Sequence, residues 1–328
     1  MPAGISSIVT AWTELASTTY RNHSKKIADQ VTKHNALFRR IAEKGKSRTE
    51  DGGLTIVVPL EFAPNSTYQR YSGYDALNIS AVDVITSAEY AWRQVAVNLA
   101  ASGLEIRTNM GSETRIINFT KAKLNNAMHS MANGLSIDLY SDGTAANQIN
   151  GLQAIIADAG TGTVGGINSS TYSFWQNIVQ SAAAPLQGGG AITPSATTIE
   201  SLMLPTWIRA TRGTDMPDMI VMSDDYFTMF EQSQTSLKRY TADQNGNAGM
   251  VSMKYKNADV FFDSSGGIPA SHAYFINTDY IDMVAHTDAN MTIMDELKSV
   301  NQDAVVIPVL FQGNLVCSAR FLQAVMKA

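Results

Sequence analysis

The stretch Gly160-Thr-Gly-Thr-Val-Gly165 matches the G-x-G-x-x-G pattern with which dinucleotide-binding loops hold a pyrophosphate. That chemistry needs a strand before the glycines and a helix whose N-terminus faces the phosphate. It also needs an acid about 20 residues further on to hold the ribose. After Gly165 the chain reads Gly-Ile-Asn-Ser-Ser-Thr, which is turn-like and β-branched, and no Asp or Glu occurs between residues 159 and 199. The pattern therefore reads as a backbone turn in which glycine supplies positive φ and close packing.

Other reactive types fail on spacing. The histidines (His23, His34, His129, His272, His286) form no H-E-x-x-H and no i, i+4 pair, so they carry no zinc signature. Neither a G-x-S-x-G nucleophile elbow nor a G-x-x-x-x-G-K-[ST] phosphate loop is present. Residues 243–247, Asp-Gln-Asn-Gly-Asn, begin like a calcium loop, but Ala248 stands where its glycine is needed and Lys254 where its final glutamate is needed. Asp224-Asp225 directly follows a strand-like run, where one of them would cap the next helix. Cys317, the single cysteine, lies in the apolar run Gly-Asn-Leu-Val-Cys-Ser-Ala-Arg-Phe-Leu and reads as a buried, inert thiol. No catalytic residue, metal or cofactor is expected, and the chain does not read as an enzyme.

Charge points to partners instead. Charged residues make up 16% of the chain, against about 25% in an average soluble domain, while hydrophobic content is 45%. Residues 21–48 hold nine Lys/Arg and two acids, whereas the rest holds fifteen basic and twenty-seven acidic residues. A basic arm on an acidic body suits nucleic acid or an acidic partner, a second copy included; a solvated helix face is the other reading. No apolar run approaches the ~20 residues that span a bilayer. The N-terminal residues lack a signal-peptide pattern, so synthesis in the cytosol is expected.

The elements that must present these residues form an α+β chain. Ile27, Val31, Phe38 and Ile41 recur at helical spacing with Gly45 as a stop, predicting a basic helix over 23–44. Strand formers from Leu54 to Phe62, a Pro64-Asn65-Ser66 turn and an extended limb with Tyr68, Tyr71 and Tyr74 predict a hairpin. Two strands alone are marginal in water, so the hairpin needs something to lie on. Residues 87–100 alternate as one strand, with Val95, Val97 and Leu99 on one face and Tyr90 and Trp92 on the other. A long helix follows Ser112, with apolar positions at 116, 117, 124, 128, 131, 135 and 139 and a stop at Gly143. Residues 172–184 and 196–212 look helical around the Gly188–Gly190 loop; residues 216–223 look like a buried strand before a helix over 224–240; beyond Gly246 the pattern is mostly β.

This order of parts, with Asn150-Gly-Leu152 after the long helix, Pro217-Asp-Met-Ile-Val-Met-Ser223 before a Tyr-containing helix, and Phe275-Ile-Asn-Thr-Asp-Tyr280, resembles the major capsid protein of tailed double-stranded DNA bacteriophages, the Hong Kong 97 fold, over essentially the whole chain. The resemblance implies an N-terminal arm (1–49), an extended loop hairpin (50–86), a peripheral domain with a long spine helix (87–149 and 286–317) and an axial domain (150–285 and 318–328). It implies a virion capsid protein, assembled in the host cytoplasm, forming hexamers and pentamers of an icosahedral shell around DNA held non-specifically at the inner surface. Tyr68, Tyr71, Tyr74, Arg39, Arg40, Lys44 and Lys46 are then the candidate subunit contacts. Some relatives carry a cleaved segment ahead of the arm. Here the hairpin begins near residue 50, so a separate scaffolding protein is expected, with a portal and in some cases a decoration protein as further partners. The lack of lysine between Lys46 and Lys121 speaks against the hairpin cross-link of some relatives. An encapsulin-type compartment shell and, from a different class, a nucleotide enzyme using Gly160–Gly165 are the competing readings.

Overall fold

The computed structural model describes residues 35–80, 82–109, 113–234, 253–263, 267–298 and 302–328. The expected calcium-like turn, His23, His34, Ile27, Val31 and the cap Ser112 lie outside them.

Helix α1 (Ala36–Glu43) is capped by Asn35, whose side chain accepts from the Phe38 amide at 3.1 Å, and ends at Gly45 with φ +67°. It turns Ala36, Leu37 and Ile41 into the core. Strand β1 (Ser47–Glu50) follows, and then the hairpin strands β2 (Thr55–Glu61) and β3 (Ile85–Ala91). The hairpin is therefore real, but its second strand is Ile85–Ala91. The limb bearing Tyr68, Tyr71 and Tyr74 belongs to residues 62–84, which form no strand among the described residues. The expected strand over 87–100 is two strands broken at Trp92, since β3 pairs with β2 while β4 (Arg93–Ser102) joins another sheet. Tyr90 consequently faces inward, 2% exposed.

After α2 (Gly103–Asn109) comes α3 (Glu113–Asp138), 26 residues long and so about 39 Å. Leu124, Ala127, Met128, Met131, Ala132 and Leu135 recur at i+3 and i+4 and are buried, while Asn125, Asn126, His129 and Asn133 face water. The helix stops at Asp138, short of Gly143. The chain then turns through Leu139 and Tyr140 so that Leu139 O can accept from Leu152 N at the short helix α4 (Leu152–Ile155).

Two larger sheets carry the body. In the first, β15 (Ala304–Cys317) runs antiparallel to β4 from Ala304 opposite Ser102 to Gly313 opposite Arg93. Its C-terminal end pairs with β12 (Ile281–His286), which holds β1 in parallel; β13 (Thr292–Ile293) and β14 (Leu297–Lys298) run along β15. The second sheet has the order β7 (Ile178–Ser181), β16 (Ala324–Lys327), β11 (His272–Ile276), β8 (Met219–Met222), β10 (Ala258–Phe262) and β9 (Met253–Tyr255). Helices α5 (Ile199–Ala210) and α6 (Asp224–Ser233) lie in the apolar cluster on this sheet, through Leu202, Met203, Trp207, Tyr226 and Phe230. The helix expected over 172–184 is instead a single 3-10 turn (Ser173–Trp175) and β7, because Asn177 is pinned by its side chain to Ala157 and Ile178–Ser181 pair in parallel with β16. One continuous apolar core joins α1, α3, the first sheet and one face of the second, through Leu37, Leu135, Phe311, Val221 and Tyr274. Strand β12, placed by sequence in the axial segment, and β1, placed in the arm, both belong to the first sheet.

Candidate assembly surfaces

The hairpin divides sharply. At its root, Ile56, Val58, Leu60, Ala88 and Tyr90 share one face, because side chains alternate along a strand, and they pack on Trp175, Val284 and Val316 of the body. The Tyr90 phenol donates to Cys317 O at 3.0 Å and accepts from Cys317 N at 3.3 Å. Burial drives the Tyr90 phenol far above its ordinary range and pushes the Cys317 thiol up to about 12, so neither group ionises near neutral pH. Beyond the root nothing among the described residues covers the tip. Tyr68 is 82% exposed, Tyr71 65%, Tyr74 108% and Ile79 93%. Exposed apolar residues grouped in this way make the tip a candidate interaction surface.

The glycine stretch is the clasp of that root. Thr163–Val164 (β5) and Ile167–Asn168 (β6) form a two-residue hairpin turned by Gly165 and Gly166, at φ +58° and +76°, the conformation such a turn requires. Gly165 O accepts from the Glu89 amide at 2.9 Å, and a Cβ on Gly165 would lie 2.8 Å from Ala88 Cβ and 3.1 Å from the Tyr90 ring. Trp175 Nε1 ties the clasp to the body through Val164 O at 2.9 Å. A strand, not a helix N-terminus, follows the glycines.

The basic segment divides as well. Arg40 reaches Asp218 at 3.2 Å and Asp259 at 3.7 Å, and Lys44 reaches Asp218 at 3.0 Å and Asp279 at 2.9 Å. Asp218 also accepts from Thr278 N at 2.7 Å and Thr278 Oγ1 at 2.6 Å. Burial works against its charge, but these hydrogen bonds and Lys44 outweigh it and hold the carboxyl below the usual range. Lys44 is shifted upward: burial opposes its charge and its two carboxylate partners prevail. Arg40 and Lys44 thus fasten α1 to their own chain. Among the described residues Arg39 pairs locally with Glu43, at 2.8 Å, and Lys46 is half-buried beside β1.

Several structural residues escaped the sequence reading. Arg320 is fully buried and donates to Ile155 O (2.6 Å), Trp175 O (2.9 Å) and Asn177 Oδ1 (2.9 Å), joining the end of α4 to the segment Trp175–Asn177. Asn314 accepts from Asn150 N at 2.8 Å and donates to Ala91 O at 2.9 Å. A lone arginine in the apolar run around Cys317 was the available signal. At Asp224-Asp225 the cap position is Ser223, and both aspartates sit in the first turn of α6, where the helix dipole favours them. His272 pairs with Asp158 at 3.0 Å, and among the described residues no cluster of His, Cys, Asp and Glu could hold a metal. No helix among the described residues is long and apolar enough to cross a membrane.

No protein-family model and no curated protein matches the chain. Solved structures do. The cyanophage A-1(L) capsid asymmetric unit is 15% identical, with 86% of this chain and 90% of that chain covered and a TM-score of 0.65. The capsid of the empty GTA particle is 11% identical, with coverage of 87% and 88% and a TM-score of 0.55. The structure of Mycobacterium phage Bobi is 11% identical, with coverage of 87% and 89% and a TM-score of 0.52. The chain has the fold of these phage capsid structures, the α+β Hong Kong 97-type capsid fold.

Proposed function

We propose that this chain is a major capsid protein that assembles into hexamers and pentamers of an icosahedral shell enclosing phage double-stranded DNA. The observation that carries this reading, beside the shared fold, is the hairpin. Its root is buried and hydrogen-bonded, while its tyrosine-rich tip is left bare by the described residues of its own chain. Tyr68, Tyr71 and Tyr74 are the contacts to a neighbouring subunit. Arg39 and Lys46 face neighbours, scaffold or DNA, whereas Arg40 and Lys44 hold α1 in place. A scaffolding protein, a portal and a decoration protein are the further partners, and the mature location is the virion.

The test is electron microscopy of particles from the intact chain and from a chain lacking residues 63–83, with nuclease-protected DNA measured in both. Closed shells with protected DNA are expected from the intact chain in infected cells, and folded subunits without closed shells from the deletion. Normal shells from the deletion would overturn the role of the tip; shells filled with protein cargo and no DNA would favour a compartment shell.

A further inference from the structure

His272 stands at the head of β11, and each of its ring nitrogens faces an oxygen that only accepts. Nδ1 lies 2.8 Å from Ala270 O and Nε2 lies 3.0 Å from Asp158 Oδ2. A neutral imidazole carries one N–H, so either tautomer leaves a lone pair aimed at an oxygen, whereas the imidazolium donates to both. The Ala270 carbonyl is placed by other means. Ser271, between Ala270 and His272, sits at φ +56° with its hydroxyl on Asp225 Oδ2 at 2.7 Å. Asp158 has the matching need. Its Oδ1 is buried without a hydrogen bond, so among the described residues His272 is the one hydrogen-bond partner of this carboxylate.

The other groups near the ring are of lesser weight. Lys327 stands opposite His272 in the β11–β16 register and opposes a second positive charge, as does burial of the ring, whose side chain is 14% exposed. Lys327 is partly exposed and its long stem carries the ammonium toward water. Asp225, on α6, is taken up by Ser223 and Ser271. Tyr274 stacks on the imidazole, ring centroids 6.2 Å apart; burial and then Asp158 hold its phenol far above the ordinary range, so it stays uncharged. The direct contact with Asp158 favours the protonated ring.

We propose that His272 and Asp158 form a pH-dependent latch, closed when the ring is doubly protonated, that fastens the clasp of the hairpin root to the second sheet. Asp158 lies in the short segment between α4 and β5. Asn177 grips this segment at Ala157, accepting from its amide at 3.1 Å and donating to its carbonyl at 2.9 Å. A few residues on, Ser169 closes on Gly162 O, and Gly165 O takes the Glu89 amide of the hairpin. His272 therefore ties β11 to the strand-poor stretch that holds the root. Such a stretch opens locally without global unfolding, and loss of the ring proton loosens it.

The test is amide hydrogen exchange of the full-length chain at about pH 5.5 and about pH 8, on either side of the ordinary histidine range, corrected for the intrinsic pH dependence of exchange. Peptides covering residues 157–168 should be protected roughly threefold to tenfold more at the lower pH, while residues 124–138 of α3 change little. His272→Gln should abolish the difference, and so should Asp158→Asn, which alters a partly exposed side chain and serves where the first variant does not fold. His286→Gln should leave it intact, since His286 Nδ1 accepts from the Asp288 amide and lies outside the latch. Equal protection at both pH values in the unaltered chain, a difference that survives in folded His272→Gln or Asp158→Asn, or its loss in His286→Gln would each overturn the latch. None of these readouts depends on shell formation.

Discussion

The Tyr90 phenol closes a two-way hydrogen bond on the backbone of Cys317, donating to its carbonyl and accepting from its amide, 227 residues away in the sequence. All of these atoms are buried, so Tyr90→Phe strands the Cys317 groups and should cost about 1–3 kcal/mol in chemical denaturation. Because the folded phenol is shifted upward, this contribution is fully present below the ordinary tyrosine range near pH 10 and is lost as pH rises beyond it. Equal stability of the Phe variant at pH 7 would show that the contact contributes nothing.

Gly165 and Gly162 should respond differently to alanine. Both have positive φ, +58° and +139°, so both substitutions strain the backbone. Only at Gly165 does the new Cβ also collide with Ala88 and Tyr90; at Gly162 it meets open space. Gly165→Ala should lower the melting temperature further than Gly162→Ala, and adding Ala88→Gly should recover part of the difference. Neither ATP nor NAD should give heat of binding with the unaltered chain, whose glycines are followed by a strand.

The α1 cluster should set a pH window. Asp218, shifted down, contributes above the unfolded carboxylate value of about 4, and this is lost as pH falls through its lower folded value. Lys44, shifted up, contributes below about pH 10 and loses this as pH rises past its folded value. Asp218→Asn should flatten the acid limb of the stability profile. A double-mutant cycle with Lys44→Met should return a coupling of about 0.5–3 kcal/mol, and a value near zero would remove the cluster from the account.

Gly151→Ala tests the turn after the long helix. Its Cβ would sit 2.2 Å from Ser141 N and 2.5 Å from Asp138 O, which are backbone atoms that cannot swing aside. The variant should be destabilised by at least about 1–3 kcal/mol, the cost of overpacking, or be recovered only as aggregate. Wild-type stability would show that this turn relaxes freely.

What the sequence disclosed follows from the range of the physics. The spacing of Leu124, Met128, Met131 and Leu135 is local, so the long helix was legible, as was the buried run Met219–Met222. The partner of β2 was not. Tyr68, Tyr71 and Tyr74 have the composition of a strand, and only the fit of Ala88 and Tyr90 opposite Val58 and Ile56 selects Ile85–Ala91 instead. Residues 178–181 read as helix until Asn177 is tied to Ala157 and Arg320. Arg40 announced a charged helix, but its partner Asp218 lies 178 residues away, beyond any local window.

The clasped root makes the hairpin a lever. Strand β3 continues through Trp92 directly into β4, which is locked along β15, so the direction of the hairpin is dictated by the first sheet. Seven residues of strand give an arm of about 23 Å at 3.3 Å per residue. Over such an arm a tilt of about 5° at Trp92 swings the far end of β3 by roughly 2 Å. Small angular changes in the sheet are thereby magnified where the tyrosines lie, and a load on the tip returns as torque on Tyr90, Gly165 and Cys317.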